Sequence, residues 1–207
     1  TLGTLTLTDN TGVASNYSLS SATLDINEKP ISLSGTKVYD ALTTAASSAL
    51  TISGTVGGQD LTLSGNGTLA TGADAGTNKT INTTGLSLGD GVSGTPGTAS
   101  NYSLVGGTHQ MSVTQKPVTI SGSRFYDSTT NVSSSDINTF NDTVGGQTLA
   151  ITGSGSVSTA VAGSGKTISL GTLTLTDGTG LASNYSLSSG TFDINSRQVN
   201  IAGSRIY

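Results

Sequence analysis

Ala99-Ser-Asn-Tyr-Ser-Leu104, then Lys116-Pro-Val-Thr-Ile-Ser-Gly122, then Tyr126-Asp127: the recurrence of this ordered phrase decides the fold. It occurs earlier as Ala14-Ser-Asn-Tyr-Ser-Leu19, Lys29-Pro-Ile-Ser-Leu-Ser-Gly35 and Tyr39-Asp40. It begins a third time with Ala182-Ser-Asn-Tyr-Ser-Leu187, followed by Val199-Asn-Ile-Ala-Gly203 and Tyr207. The tyrosines at 17, 102 and 185 set a period of about 85 residues. A period that long is one small domain per repeat rather than one coil of a solenoid. The chain reads as an array.

Within each repeat the apolar residues return at alternate positions. Thr4-Leu-Thr-Leu-Thr8 sends Leu5 and Leu7 to one side and threonines to the other, and Asp9-Asn-Thr-Gly12 then turns the chain. Thr1–Asn27 aligns without a gap on Ser169–Asn195, with 22 identities. This segment is therefore the end of a preceding repeat, and a meander of three strands is expected in it. Thr55-Val-Gly-Gly-Gln59 recurs as Thr143-Val-Gly-Gly-Gln147, Lys79-Thr-Ile81 as Lys166-Thr-Ile168, and Leu86-Ser-Leu88 as Leu173-Thr-Leu175. The first complete unit spans 28–115, the second 116–197, and 198–207 start a following repeat. Thr43–Ser48 has a helical flavour but is too short to hold a helix. The loop from Gly91 to Thr98 is longer than its partner Gly178–Leu181, so its tip is expected to be exposed.

Short strands at about ten-residue spacing argue for tandem small antiparallel, Ig-like β-sandwiches set end to end, with about seven or eight strands each. A β-solenoid is the alternative all-β arrangement. Pro30 and Pro117 stand at the unit boundaries, where a missing donor and a fixed φ make a short, stiff connection.

The motifs together resemble YDG-type repeats. Carrying the likeness are Tyr-Asp after Lys-Pro-x-x-x-x-Gly, the Val-Gly-Gly-Gln turn, the Lys-Thr-Ile strand and the Asn-Tyr-Ser-Leu ending. Such repeats occur in the stalks of bacterial filamentous haemagglutinin-like adhesins, many exported by two-partner secretion. The chain departs from the pattern after Tyr-Asp, where Ala41 and Ser128 replace the glycine. The resemblance implies an extracellular location on a bacterial cell surface and a part in cell adhesion or biofilm formation.

Composition narrows the chemistry. Charged residues make up 10% of the chain, the net charge is −4, and eight Lys and Arg are scattered without a cluster. A nucleic-acid footprint is absent, as is any apolar run long enough to insert in a membrane. There is no Cys and no Trp, so stability rests on packing and strand pairing in a thin Leu, Ile, Val and Ala core.

No catalytic, cofactor-binding or metal-ligating residue is assigned. His109 is the one histidine and reads as structural. The serines lack a nucleophile elbow, and Gly153-Ser-Gly-Ser-Val157 reads as turn material. No enzyme is expected. Calcium is the one metal to weigh, because Asp9, Asp90 and Asp177 occupy equivalent turns and Asp40 and Asp127 another pair. It takes about six to eight oxygens, and each turn offers one aspartate, so Asx turns are the expected role. The Asn-x-Ser/Thr triplets at Asn16, Asn101 and Asn184 follow from composition. Tyr17, Tyr102 and Tyr185 are expected to be buried at the ring and fixed by the hydroxyl, with Tyr39, Tyr126 and Tyr207 serving similarly at the other end. One threonine row per unit falls short of the flat array that ice binding requires.

Two function classes remain. One is a spacer in the stalk of a large secreted adhesin, monomeric, in contact with neighbouring repeats and with few contacts between units. Host or matrix glycans or proteins would then be met through other regions. The other is a glycan- or protein-binding module.

Overall fold

The computed structural model describes residues 3–21 and 23–207. The protein is all-β, and every strand pairing among the described residues stays inside 29–114 or inside 116–195. A solenoid would pair each coil with the next; here each repeat closes on itself.

The first unit holds β1 (Lys29–Pro30), β2 (Ser32–Val38), β3 (Thr44–Ala46), β4 (Leu50–Ser53), β5 (Leu61–Leu69), β6 (Gly76–Asn82), β7 (Leu86–Asp90), β8 (Tyr102–Ser103) and β9 (His109–Thr114). The second holds β10 (Lys116–Phe125), β11 (Asn131–Ser133), β12 (Ile137–Asn141), β13 (Leu149–Thr152), β14 (Ser154–Ser156), β15 (Gly163–Thr167), β16 (Thr174–Asp177) and β17 (Tyr185–Asn195). In the first unit the sheet runs β3-β5-β6-β9-β2-β4, with β7 on β5. Its two edges, β3 and β4, are joined by a 3-10 turn at Ser47–Ala49, so the sheet wraps almost into a barrel. The stretch read as faintly helical is thus strand and turn. Gly35, on β2, lies where that turn crosses; a Cβ there would stand 2.2 Å from the Ala49 carbonyl oxygen, and Gly122 meets the Asp136 oxygen at 2.1 Å in the same way.

Most neighbours are antiparallel, but the first and last strands of each unit run parallel. β2 pairs with β9 from Leu33↔His109 to Val38↔Thr114, and β10 pairs with β17 from Lys116↔Tyr185 to Phe125↔Asn195. Alternation fits this pairing: Val118, Ile120 and Gly122 face inward along β10, Ile120 into the cluster with Phe192 and Ile194 of β17 and Val118 into the one with Tyr185. The chain therefore enters each unit at one end and leaves it at the other, and Gln115 alone separates β9 from β10.

Two readings need correction. Gly153–Val157 is not only a turn: Ser154–Ser156 is β14, paired with β11. Gly153 (φ 88) precedes it in the left-handed region, and a Cβ there would lie 2.1 Å from the Thr172 oxygen, so glycine is required. The meander expected in 1–27 is absent among its described residues, which hold a 3-10 turn at Ala14–Asn16 and no strand. The equivalent residues 174–195 form β16 and β17 by pairing with β10, β13 and β15, and the described residues 3–21 and 23–27 pair with no strand. Leu5, Leu24 and Ile26 are accordingly exposed. Residues 1, 2 and 22 of that segment lie outside the description.

Candidate functional site: the junction between the units

The core of the first unit does not stop at its boundary. Leu33, Tyr39, Leu69, Ile81, Met111 and Val113 form one buried cluster with Val118, Leu149 and Tyr185 of the second unit. A separate cluster around Ile120, Val132, Ile168 and Phe192 fills the far part of the second unit. The expectation of few contacts between units is therefore overturned at this junction.

The contact is built from the repeated motifs. Tyr39, just beyond β2, is 4% exposed and meets the edge of Tyr185, with ring centroids 5.4 Å apart and planes at 79°. Gln147 Nε2 donates to the Tyr39 hydroxyl at 3.0 Å. The Tyr185 hydroxyl donates to Gln147 Oε1 and accepts the Val144 N–H at 3.1 Å. Nearby, Asn184 is 1% exposed; its Nδ2 donates to Asp74 Oδ1 at 2.7 Å, and its Oδ1 accepts the Ala75 N–H at 2.7 Å. Gln115 Nε2 adds a bond to the Ser183 carbonyl at 3.1 Å. Every buried polar atom of this set is paired, as groups withdrawn from water require.

The same parts recur at the outer faces. In the first unit the Tyr102 hydroxyl bonds Gln59 and accepts the Val56 N–H at 3.1 Å, but the Asn101 beside it is exposed. In the second unit Tyr126, the counterpart of Tyr39, is 42% exposed. The burial expected for the Asn-Tyr-Ser-Leu tyrosines is seen at Tyr102 and Tyr185, whereas Tyr17 is exposed.

After the tyrosine, the motif makes its own turn. Asp40 Oδ1 accepts the Leu42 N–H at 2.9 Å and Asp127 Oδ1 the Thr129 N–H at 3.0 Å, the Asx turns expected. Lys37 Nζ binds Asp40 and the Leu42 and Thr44 carbonyls. Arg124 holds the equivalent loop through the Thr129 and Asn131 carbonyls and Asp127. Where glycine is replaced, Ala41 (φ 61) and Ser128 (φ 65) still adopt the left-handed conformation. That costs an L-residue roughly 1–2 kcal/mol, part of which glycine returns through its freer unfolded chain. Ala41→Gly is therefore expected to raise stability by about 0.5–1 kcal/mol; a urea midpoint that stays or falls would contradict this.

These turns also respond to acid. Burial alone would raise the Asp40 carboxyl, but the bonds from Lys37 and the Leu42 N–H outweigh it and hold the pKa below its ordinary value. For Asp127 the Thr129 N–H is the main cause, and the shift is again downward. A carboxyl depressed in the folded state stabilises the fold above its unfolded pKa, near about 3.9, and the benefit is lost as pH falls through the folded value. Melting temperature should be level from about pH 8 to 5 and drop below about pH 4. The doubly substituted Asp40→Asn, Asp127→Asn protein should drop less steeply there; an equal slope would refute the assignment.

The remaining candidates serve the backbone. Asp9, Asp90 and Asp177 accept the N–H of Ala14, Ala99 and Ala182 across their loops, at 2.5, 2.7 and 2.7 Å, spans of 5, 9 and 5 residues rather than the two expected. Among the described residues no group of three metal-ligating side chains converges. His109, on β9, contacts the Leu104 carbonyl through Nε2 at 2.6 Å. It faces Leu33 as Gly190 faces Ile120, so the second unit has no histidine at that place. The longer loop is exposed from Val92 to Pro96, and Asp60 Oδ2 braces it by accepting from the Val92 and Ser93 N–H groups at 3.1 and 3.0 Å. The junction went unread in the sequence. Its signal was that Tyr, Gln and Asn return at the same places in each period.

Compared with known families, residues 27–112 and again residues 109–192 match the YDG domain. Comparison with curated proteins and with solved structures gives no match.

Proposed function

The chain belongs to the YDG domain family, and on that premise we propose that its units are spacers in the stalk of a filamentous haemagglutinin-like adhesin. Such a stalk, exported by two-partner secretion, holds an adhesive region away from a bacterial surface for attachment or biofilm formation. The observation that carries this reading is the parallel pairing of first and last strands. Entry and exit at opposite ends make length additive, and the paired Tyr39–Gln147–Tyr185 contact fixes the first unit on the second. A spacer needs both properties and no ligand pocket.

Small-angle scattering tests it. β10 alone spans about 33 Å, so two units in line exceed a globule of this length, whose radius of gyration is about 17 Å. The expected result is a monomeric rod with a radius of gyration well above that value. A compact particle, or a saturable hit on a glycan array, would favour the binding-module reading.

A further inference from the structure

The terminal strands bear on more than length. In the second unit β10 and β17 pair in parallel over ten register positions, and the chain enters at Lys116 and leaves at Asn195. Tension along the chain pulls Lys116 and Asn195 apart along the strand axis. The ladder is then loaded in shear, and its bonds must fail together. Pulling the strands apart from one end would break the same bonds one after another.

The ladder of the second unit has one irregularity, where Val118↔Leu187 is followed by Thr119↔Ser189. Ser188 sits at that bulge and its hydroxyl donates to the Val118 carbonyl at 3.0 Å, which closes the gap. The first unit is built differently. Its pairing is split into two positions in β1 and β8 and six in β2 and β9. Ile31 N–H bonds the Ser103 carbonyl and Leu33 N–H the Thr108 carbonyl, both at 3.0 Å, with the excursion Leu104–Thr108 between them. Gly106 (φ 83) turns that excursion. Under load it can lengthen before the two halves of the ladder share the force, so the halves yield separately.

We propose that the parallel terminal pair is a tension-bearing shear clamp, and that the second unit withstands more force than the first. The proposal goes beyond the spacer reading and rests on strand register alone. A rod seen by scattering could lack the clamp, and a clamped unit could belong to a protein that is no spacer.

Single-molecule force spectroscopy on the whole chain decides it. The chain has no cysteine, so introduced cysteines are unique handles. Pulled through its ends, the protein should give two rupture events, each releasing about 250 Å of chain, with the second at higher force. Phe192→Ala should lower the higher peak and leave the lower one in place. Handles on Pro117→Cys and Ser186→Cys, kept reduced, pull β10 and β17 apart from one end. Rupture there should need a several-fold lower force, while the melting curve shows the variant folded. Equal force in the two geometries, or a lower peak that falls with Phe192→Ala, would overturn the proposal.

Discussion

Tyr185→Ala is expected to cost the second unit about 4 kcal/mol and to weaken the first unit with it. The ring is 2% exposed and lies in the cluster shared by both units. Truncation opens a cavity, and it also strands the Val144 N–H and Gln147, which the hydroxyl satisfies. Tyr39 loses its edge contact as well. Tyr102→Ala removes the same ring from the first unit, where its hydroxyl meets Gln59 and Val56 of that unit, and should cost about 3 kcal/mol or more in that unit alone. Calorimetry separates the two: Tyr185→Ala shifts both transitions, Tyr102→Ala one. Tyr185→Phe keeps the ring and should lose only about 1–2 kcal/mol. A Tyr185→Ala protein whose first-unit transition is unmoved would mean that the junction couples nothing.

Phe192→Ala is the second large loss. The side chain is fully buried at the centre of the far core, facing Gly122 across the parallel ladder. Arg124 lies over its ring at 5.5 Å while holding the loop after Tyr126. Removing the ring costs about 3–5 kcal/mol for the cavity and takes the cation–π partner from a guanidinium already withdrawn from water. A melting point lower by on the order of 15 °C is expected for the second unit. Phe192→Leu fills most of the space and should recover over half of that. A drop of only a few degrees for Phe192→Ala would show that the core relaxes to fill the gap.

Much of this was legible in the chain. Alternation at Leu86 and Leu88 marked β7, and recurrence marked the tyrosines at 102 and 185 that became buried. What alternation cannot carry is the identity or direction of a strand's partner. Val118 and Ile120 alternate alike whether β10 pairs antiparallel or, as here, parallel to a strand some 70 residues away. The junction was hidden for a related reason. Tyr39 and Tyr126 hold equivalent places in the repeat, each followed by Asp, yet one is buried and the other exposed, because burial depends on what docks against the unit. The strands expected near Leu5 and Leu24 had the right pattern but no partner, and a pattern without a partner does not make a sheet.

One carboxylate has a practical use. Asp90 and Asp177 make the same bond to the alanine beyond their loops, although one loop spans 9 residues and the other 5. The neck is closed at its base, and lengthening the loop by that amount adds only about 0.5 kcal/mol of closure entropy. What lies past the neck is therefore interchangeable. Gly94, with open space around it, offers a grafting position where an epitope or a reporter peptide could be carried outward on the first unit, leaving the strands beneath it as they are.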